Sequence, residues 1–193
     1  MNCCVVDLET SSLEGVGAGF ILCAVVKPLG KKPVILRYDE LKCRPAHEKR
    51  LIELLIKELD KYELWIGHNI GSYDFNFIKS RASILGVPFT SQPFLYDTML
   101  AFRRSGFLTS RHPVTGRPKA GLDHVVDFFG IPQKKTKVGY PRQHWRIVWE
   151  EGDDRARAMD NLVEHCRFDV ELTEAVYWKL IGTDKVWGIR RSK

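Results

Sequence analysis

Cys3-Cys4-Val5-Val6-Asp7-Leu8-Glu9-Thr10 is the stretch that decides how this chain folds. From Cys3 to Val6 every residue is apolar, too few for a helix and bounded by polar positions, so the segment reads as a strand buried on both faces. Side chains alternate along a strand, and residues two apart point the same way. Asp7 and Glu9 therefore emerge side by side at the C-terminal edge of a buried strand, the place where open α/β sheets take their ligands. Nothing from Cys3 to Val6 neutralises them. Two carboxylates this close are unfavourable unless protonated or bridged by a cation, and hard divalent ions prefer carboxylate oxygens.

Outward from that strand, Phe20 to Val26 and Val34 to Tyr38 read as two more strands. The glycines of Gly15-Val16-Gly17-Ala18-Gly19 and the turn from Pro28 to Pro33 separate the three at hairpin spacing, so the chain opens with a meander. Between Ala46 and Tyr62 the apolar positions Leu51, Ile52, Leu54, Leu55, Ile56 and Leu59 recur at helical spacing, and Leu64-Trp65-Ile66 follows as a short strand. A second helix is expected from Tyr73 to Leu85, closed by Gly86 with Pro88 beyond it. Phe94-Leu95-Tyr96 is a last strand, Leu122 to Phe129 a helix stopped at Gly130, and Asp154 to Leu180 a long final helix. Thr109 to Pro118 and Pro132 to His144 fit neither period and read as mobile loops rich in Pro, Gly and cations. The pattern indicates an α/β fold, one mixed sheet with helices on both faces.

With 193 residues the chain has room for one full core, and a single domain is expected. Hydrophobic residues at 44% and charged residues at 28% are ordinary for a globular protein, which disfavours disorder, collagen-like repeats and coiled coil. No apolar run approaches the roughly 18 residues of a membrane helix. Asp7 and Glu9 interrupt the first apolar stretch too early for a signal peptide, so a cytoplasmic location is expected. The five cysteines contain no C-x-x-C pair and read as reduced thiols. The net charge of +6 is concentrated: from Arg103 to Arg146 there are ten basic residues against two acidic ones. Tyr140, Trp145 and Trp149 interleave with those cations, the combination that a polyanion with stacking bases requires.

Two further clusters carry acids. Gly67-His68-Asn69-Ile70-Gly71-Ser72-Tyr73-Asp74 directly follows the Leu64 to Ile66 strand and places Asp74 at a helix start, where Ser72 or Asp74 would equally serve as a cap. Glu164-His165-Cys166-Arg167-Phe168-Asp169 lies in the final helix, and His165 and Asp169, four apart, share a face. Asp169-Val170-Glu171 repeats the Asp-x-Glu triplet, but two residues on a helix diverge by about 200°, so only one of these acids faces a given site. Asp97, before Thr98 at the end of the last strand, reads as structural.

The order, elements and spacing of the three clusters resemble the DEDD superfamily of 3′-to-5′ exonucleases, which includes polymerase proofreading domains. Asp7-Leu8-Glu9-Thr10 matches its first motif, Gly67-His68-Asn69 with Tyr73-Asp74 its second, and Asp169 the closing carboxylate of its third. The resemblance runs from about Val5 to Tyr177. It implies a ribonuclease H-like α/β fold: a mixed five-stranded sheet, its second strand antiparallel, with helices on both faces. It implies two divalent cations, Mg²⁺ or Mn²⁺, held by Asp7, Glu9, Asp74 and Asp169. The implied partner is nucleic acid, DNA or RNA, with single-stranded 3′ ends, and Thr10, Asn69 and Tyr73 would border it. The third motif departs from the family, which has Tyr four residues or His five residues before the last Asp. Here His165 stands at the four-residue spacing and Glu164 at the five-residue spacing, which makes His165 the candidate general base. Such a base works only when neutral, so activity is expected to fall in mildly acid solution. Arg111, Arg117, Lys134, Lys135 and Lys137, in the two basic loops at about 103–119 and 132–146, would then hold the phosphates of the strand. A structure-selective or ribonuclease H-type enzyme that cuts internally, and a nucleic-acid-binding relative without catalysis, are the alternatives.

Overall fold

A computed structural model describes residues 1–11, 19–38, 48–132, 153–182 and 189–191. Its sheet is built from β1 (Cys3–Thr10), β2 (Ile21–Pro28), β3 (Val34–Arg37), β4 (Leu64–Gly67), β5 (Phe94–Asp97) and β6 (Ile189–Arg191), in the spatial order β3-β2-β1-β4-β5-β6. β1, β2 and β3 form the expected antiparallel meander, with Glu9 opposite Cys23 and Val25 opposite Ile35. β4 pairs parallel with β1, and β5 parallel with β4. The five expected strands are present with the second antiparallel to the first. β6 adds a sixth, antiparallel to β5 at the sheet edge, from a stretch of three residues that is too short to carry a period in the sequence.

Alternation along β1 divides the interior in two. Cys4, Val6 and Leu8 face the layer made by α1 (Glu48–Leu59) and α2 (Asp74–Ile84), packing with Leu51, Ile52, Leu55, Phe75 and Ile78. Val5 faces the opposite layer, made by α3 (Thr98–Arg104), α4 (Leu122–Phe128) and α5 (Asp153–Ile181), packing with Phe102, Val125, Met159 and Cys166. Full burial of such side chains contributes on the order of 2 kcal/mol each. Trp65 is wholly buried between α1 and the sheet because its indole N–H donates to the carbonyls of Leu59 and Tyr62, both at 3.2 Å.

Polar ties fix the helices against the sheet. Glu48, at the start of α1, accepts from the Arg81 guanidinium of α2, with Nε to Oε1 at 2.9 Å, and from the Ile21 backbone N–H at 3.2 Å. α5 crosses β1 and β2 and is held at two points along its length. Arg37 pairs with Asp160 at 2.7 Å, and Glu174 accepts from Lys27 and from the Gly30 N–H at 2.8 Å.

Two segments differ from expectation. α3 has no counterpart among the elements expected from the sequence. It starts where Asp97 accepts the Leu100 N–H at 3.0 Å, and it carries Arg103 and Arg104, which therefore stand on a helix and not in a loop. Residues 110–119, expected as a loop, close on themselves through an antiparallel bridge between Arg111 and Pro118. The basic stretch 133–152, with Lys134, Lys135, Lys137, Tyr140, Trp145 and Trp149, lies outside the described residues. Of the cysteines, Cys3, Cys4, Cys23 and Cys166 are free thiols. No described helix is long and apolar enough to cross a membrane.

Candidate active site

At the C-terminal edge of β1 the sheet opens into a cleft of about 380 Å³, lined by Asp7, Glu9, Thr10, His68, Asn69, Tyr73, Asp74, His165 and Asp169 among others. Four elements build it, each for a local reason. β1 supplies Asp7 and Glu9 on one face, and a register shift between Glu9 and Thr10 ends its regular pairing there. The turn after β4 supplies His68 and Asn69. Gly67 opens that turn because a side chain there would stand 2.7 Å from the Ile70 Cβ, too close for any residue with a Cβ. Asn69 adopts a left-handed φ of 69°, which asparagine tolerates better than most residues, and its N–H donates to Asp97 Oδ1 at 3.1 Å. The turn delivers the chain to α2, whose first residue is Asp74. Tyr73 occupies the cap position, and its side chain makes no capping hydrogen bond to the helix.

α5 supplies His165 and Asp169 from one face. The Cys166 thiol donates to the Asp7 carbonyl at 3.3 Å, which fixes the helix at the level of the acids. His165 Nε2 then lies 3.6 Å from Asp169 Oδ2 and 3.9 Å from Glu9 Oε1, its imidazole partly exposed to the cleft. Glu164 is exposed. Tyr73 and Thr10 join across the cleft wall through their hydroxyls at 2.5 Å.

Among the described residues the electrostatics of the cleft are one-sided, for none of those that line it is Lys or Arg. Burial raises the Asp7 carboxyl well above the usual range, and the charges of Asp74, Glu9 and Asp169 push the same way. Burial raises Asp74 to about 7, although N–H groups of Leu8 and of Asp74 itself pull it down. Asp169 is raised by burial and eased by His165. Four acids gathered in one recess form a donor set that suits hard divalent cations. Among the described residues no three His, Cys, Asp or Glu side chains close into a ready-made cage for an ion, so the carboxylates share the cleft at a looser spacing.

The structure thus brings Asp7, Glu9, Asp74, His165, Asp169, Thr10, Asn69 and Tyr73 to one place. Arg111 and Arg117 do not line the cleft; they stand on the hairpin. His68 is the lining residue that sequence reasoning left without a role, though its place right after β4, level with the end of β1, was a usable signal.

The family model of the RNase H superfamily matches residues 4–181. The chain belongs to that superfamily. Among solved structures it is similar to the family B DNA polymerase from the hyperthermophilic archaeon Pyrobaculum calidifontis, with a TM-score of 0.66 and 16% identity over 93% of this chain. At that identity the likeness is one of fold. The chain spans only 24% of the polymerase's length. No curated protein matches it. The ribonuclease H-like architecture expected from the motifs is therefore that of the superfamily, and the fold is of nuclease type.

Proposed function

We propose that this RNase H superfamily member is a metal-dependent 3′-to-5′ exonuclease, releasing nucleotides from the 3′ end of single-stranded nucleic acid. The observation that carries the reading is the convergence of Asp7, Glu9, Asp74 and Asp169, drawn from β1, α2 and α5, in one cleft where no Lys or Arg is found among the described lining residues. These four carboxylates would hold two divalent cations, Mg²⁺ or Mn²⁺. Bound there, such ions supply charge stabilisation to a phosphoryl group under attack and to the oxygen that leaves it.

The chain's own groups do the rest. His165, beside Glu9 and Asp169 and open to the cleft, takes a proton from the attacking water at Nε2. The water oxygen bonds to phosphorus, the bond from phosphorus to the 3′ oxygen breaks, and that oxygen takes up a proton. The products are a nucleoside 5′-monophosphate and a strand shorter by one residue, ending in a 3′-hydroxyl. Asn69 and the Thr10–Tyr73 pair border the position of the terminal nucleotide. Arg111 and Arg117 meet phosphates further along the strand.

A time course with Mg²⁺ or Mn²⁺ on end-labelled single-stranded DNA, duplex DNA and RNA tests the reading. Stepwise shortening from a free 3′ end is expected, with Asp7→Asn slower by at least about 10³-fold, or roughly 4 kcal/mol. Equal cutting of strands with a blocked 3′ terminus would replace this reading with an internal nuclease. Binding without any nucleotide release would leave a non-catalytic relative.

A further inference from the structure

The hairpin at residues 110–119 is fastened to itself. Lys119 N–H donates to the Ser110 carbonyl at 2.9 Å, and His112 N–H to the Arg117 carbonyl at 2.8 Å. Gly116, at a φ of 64°, turns the tip and donates to the His112 carbonyl at 2.9 Å. Arg111 spends one guanidinium N–H on the Gly116 carbonyl at 2.9 Å. The product is an arm closed by its own hydrogen bonds, whose residues 110–117 are all exposed. Arg111, Arg117 and Lys119 on the arm, and Arg103 and Arg104 on the exposed face of α3, make no ion pair with any described residue. Five cations without an acidic partner among the described residues, on two elements consecutive in the chain, call for a polyanion.

His68 links those two elements to the cleft. The arm ends at Ala120, which is buried, and the Ala120 carbonyl lies 2.8 Å from His68 Nε2. A carbonyl only accepts, so Nε2 carries the proton. The other nitrogen, Nδ1, lies 2.9 Å from the hydroxyl of Thr98, the first residue of α3. Burial lowers the pKa of this imidazole, and the one hydrogen of the Thr98 hydroxyl is shared between Nδ1 and the Gly67 carbonyl, 3.2 Å away, so the ring and the end of β4 both hold the start of α3. The same ring lines the carboxylate cleft.

We propose that His68 is a positioning residue: it holds the root of the arm and the start of α3 in register with the cleft, so that phosphates several nucleotides from the scissile bond fall on Arg117 and Lys119. This rests on the exonuclease reading above and extends it to how the substrate strand is held. A cut strand long enough to reach the arm gains from the tie, and a single phosphodiester does not.

The test compares two substrates, the p-nitrophenyl ester of thymidine 5′-monophosphate and a 5′-labelled DNA strand of about twenty nucleotides. The readout is the ratio of kcat/KM for the strand to that for the ester. His68→Ala is expected to lower this ratio roughly tenfold, mainly through KM, the size of a lost positioning contact. His68→Gln, whose amide N–H still reaches the Ala120 carbonyl, should keep the ratio within about twofold of the original. The double substitution Arg117→Ala, Lys119→Ala should lower the ratio in the native background and add little in the His68→Ala background, since the arm is already displaced there. An unchanged ratio in His68→Ala, or equal losses from the arm substitutions in both backgrounds, overturns the proposal. If the native protein hydrolyses neither substrate, the exonuclease reading fails by itself. The same cycle read as the anisotropy of the labelled strand, in metal-free buffer, then still decides whether His68 positions the arm.

Discussion

Two places in this molecule bury carboxylates, and they treat them in opposite ways. Glu48 is 2% exposed and lies against the Arg81 guanidinium and the Ile21 N–H, so its charge is met from both sides. Asp74 is 3% exposed, and among the described residues it shares its cleft with Asp7, Glu9 and Asp169 and with no Lys or Arg. The first arrangement holds α1 to α2 and to the edge of β2. The second holds acids raised by burial and, at Asp7, by one another, an arrangement that folding alone does not need and that fits the cation-binding reading proposed above. The contrast separates a carboxylate that maintains the fold from carboxylates that the fold maintains.

The sharpest way to break the contrast is to neutralise the first site. Glu48→Gln leaves the Arg81 charge buried without its partner, and breaking such a pair costs roughly 3–5 kcal/mol. Denaturant unfolding should show that loss, while Glu48 lies outside the cleft lining and the variant still carries every acid of the cleft. A loss below about 1 kcal/mol would mean that the Glu48–Arg81 pair is not what joins the two helices.

The second site should respond with the opposite sign. Asp74 is raised from 3.8 to about 7 in the folded protein, with burial as the largest cause. The unfolded chain therefore gives up this proton first as pH rises, and the folded state is penalised progressively from about pH 4 to about pH 7. In metal-free buffer Asp74→Asn removes that penalty. Its stability relative to the native protein should increase by roughly 3 kcal/mol between about pH 5 and about pH 8, read from unfolding curves at each pH. Added Mg²⁺ should raise the melting temperature of the native protein most at the alkaline end, where the acids are ionised, and should do so less in the variant. A difference between the two proteins that stays flat with pH would mean that the cleft does not hold its acids against their ordinary tendency to ionise.

The same contrast explains what the sequence revealed and what it hid. Asp7 and Glu9 were legible because strand alternation fixes where residues two apart must point, and the first strand is unmistakable. Asp74 and Asp169 are ambiguous alone, one resembling a cap and the other a surface pair; they became legible only through their order relative to the first two. Glu48 and Arg81 lie 33 residues apart, with no local period or motif to connect them, so their pairing was invisible. The closure of the arm is invisible in the sequence because main-chain hydrogen bonds make it, and those leave no trace in residue type beyond Gly116. His68 stood in a quoted motif, but its partners, Thr98 and the Ala120 carbonyl, are a helix start that had no visible period and a backbone atom.

The smallest effect tests where the cleft stops. Tyr73 shares its hydroxyl with Thr10 at 2.5 Å, and burial raises its pKa, so the phenol stays protonated in any ordinary assay. If that hydroxyl only braces the wall, Tyr73→Phe loses one hydrogen bond, about 1 kcal/mol of stability, and leaves Thr10 to rebond to water. The rate of 3′ trimming should then change by less than about fivefold, with the pH profile intact, because the ring still packs against Phe77. A fall of a hundredfold or more with little loss of stability would place the phenol among the groups that touch the reacting phosphate. Tyr73 would then belong with the acids beside it, and the boundary between the part of the cleft that reacts and the part that supports would move outward by one residue.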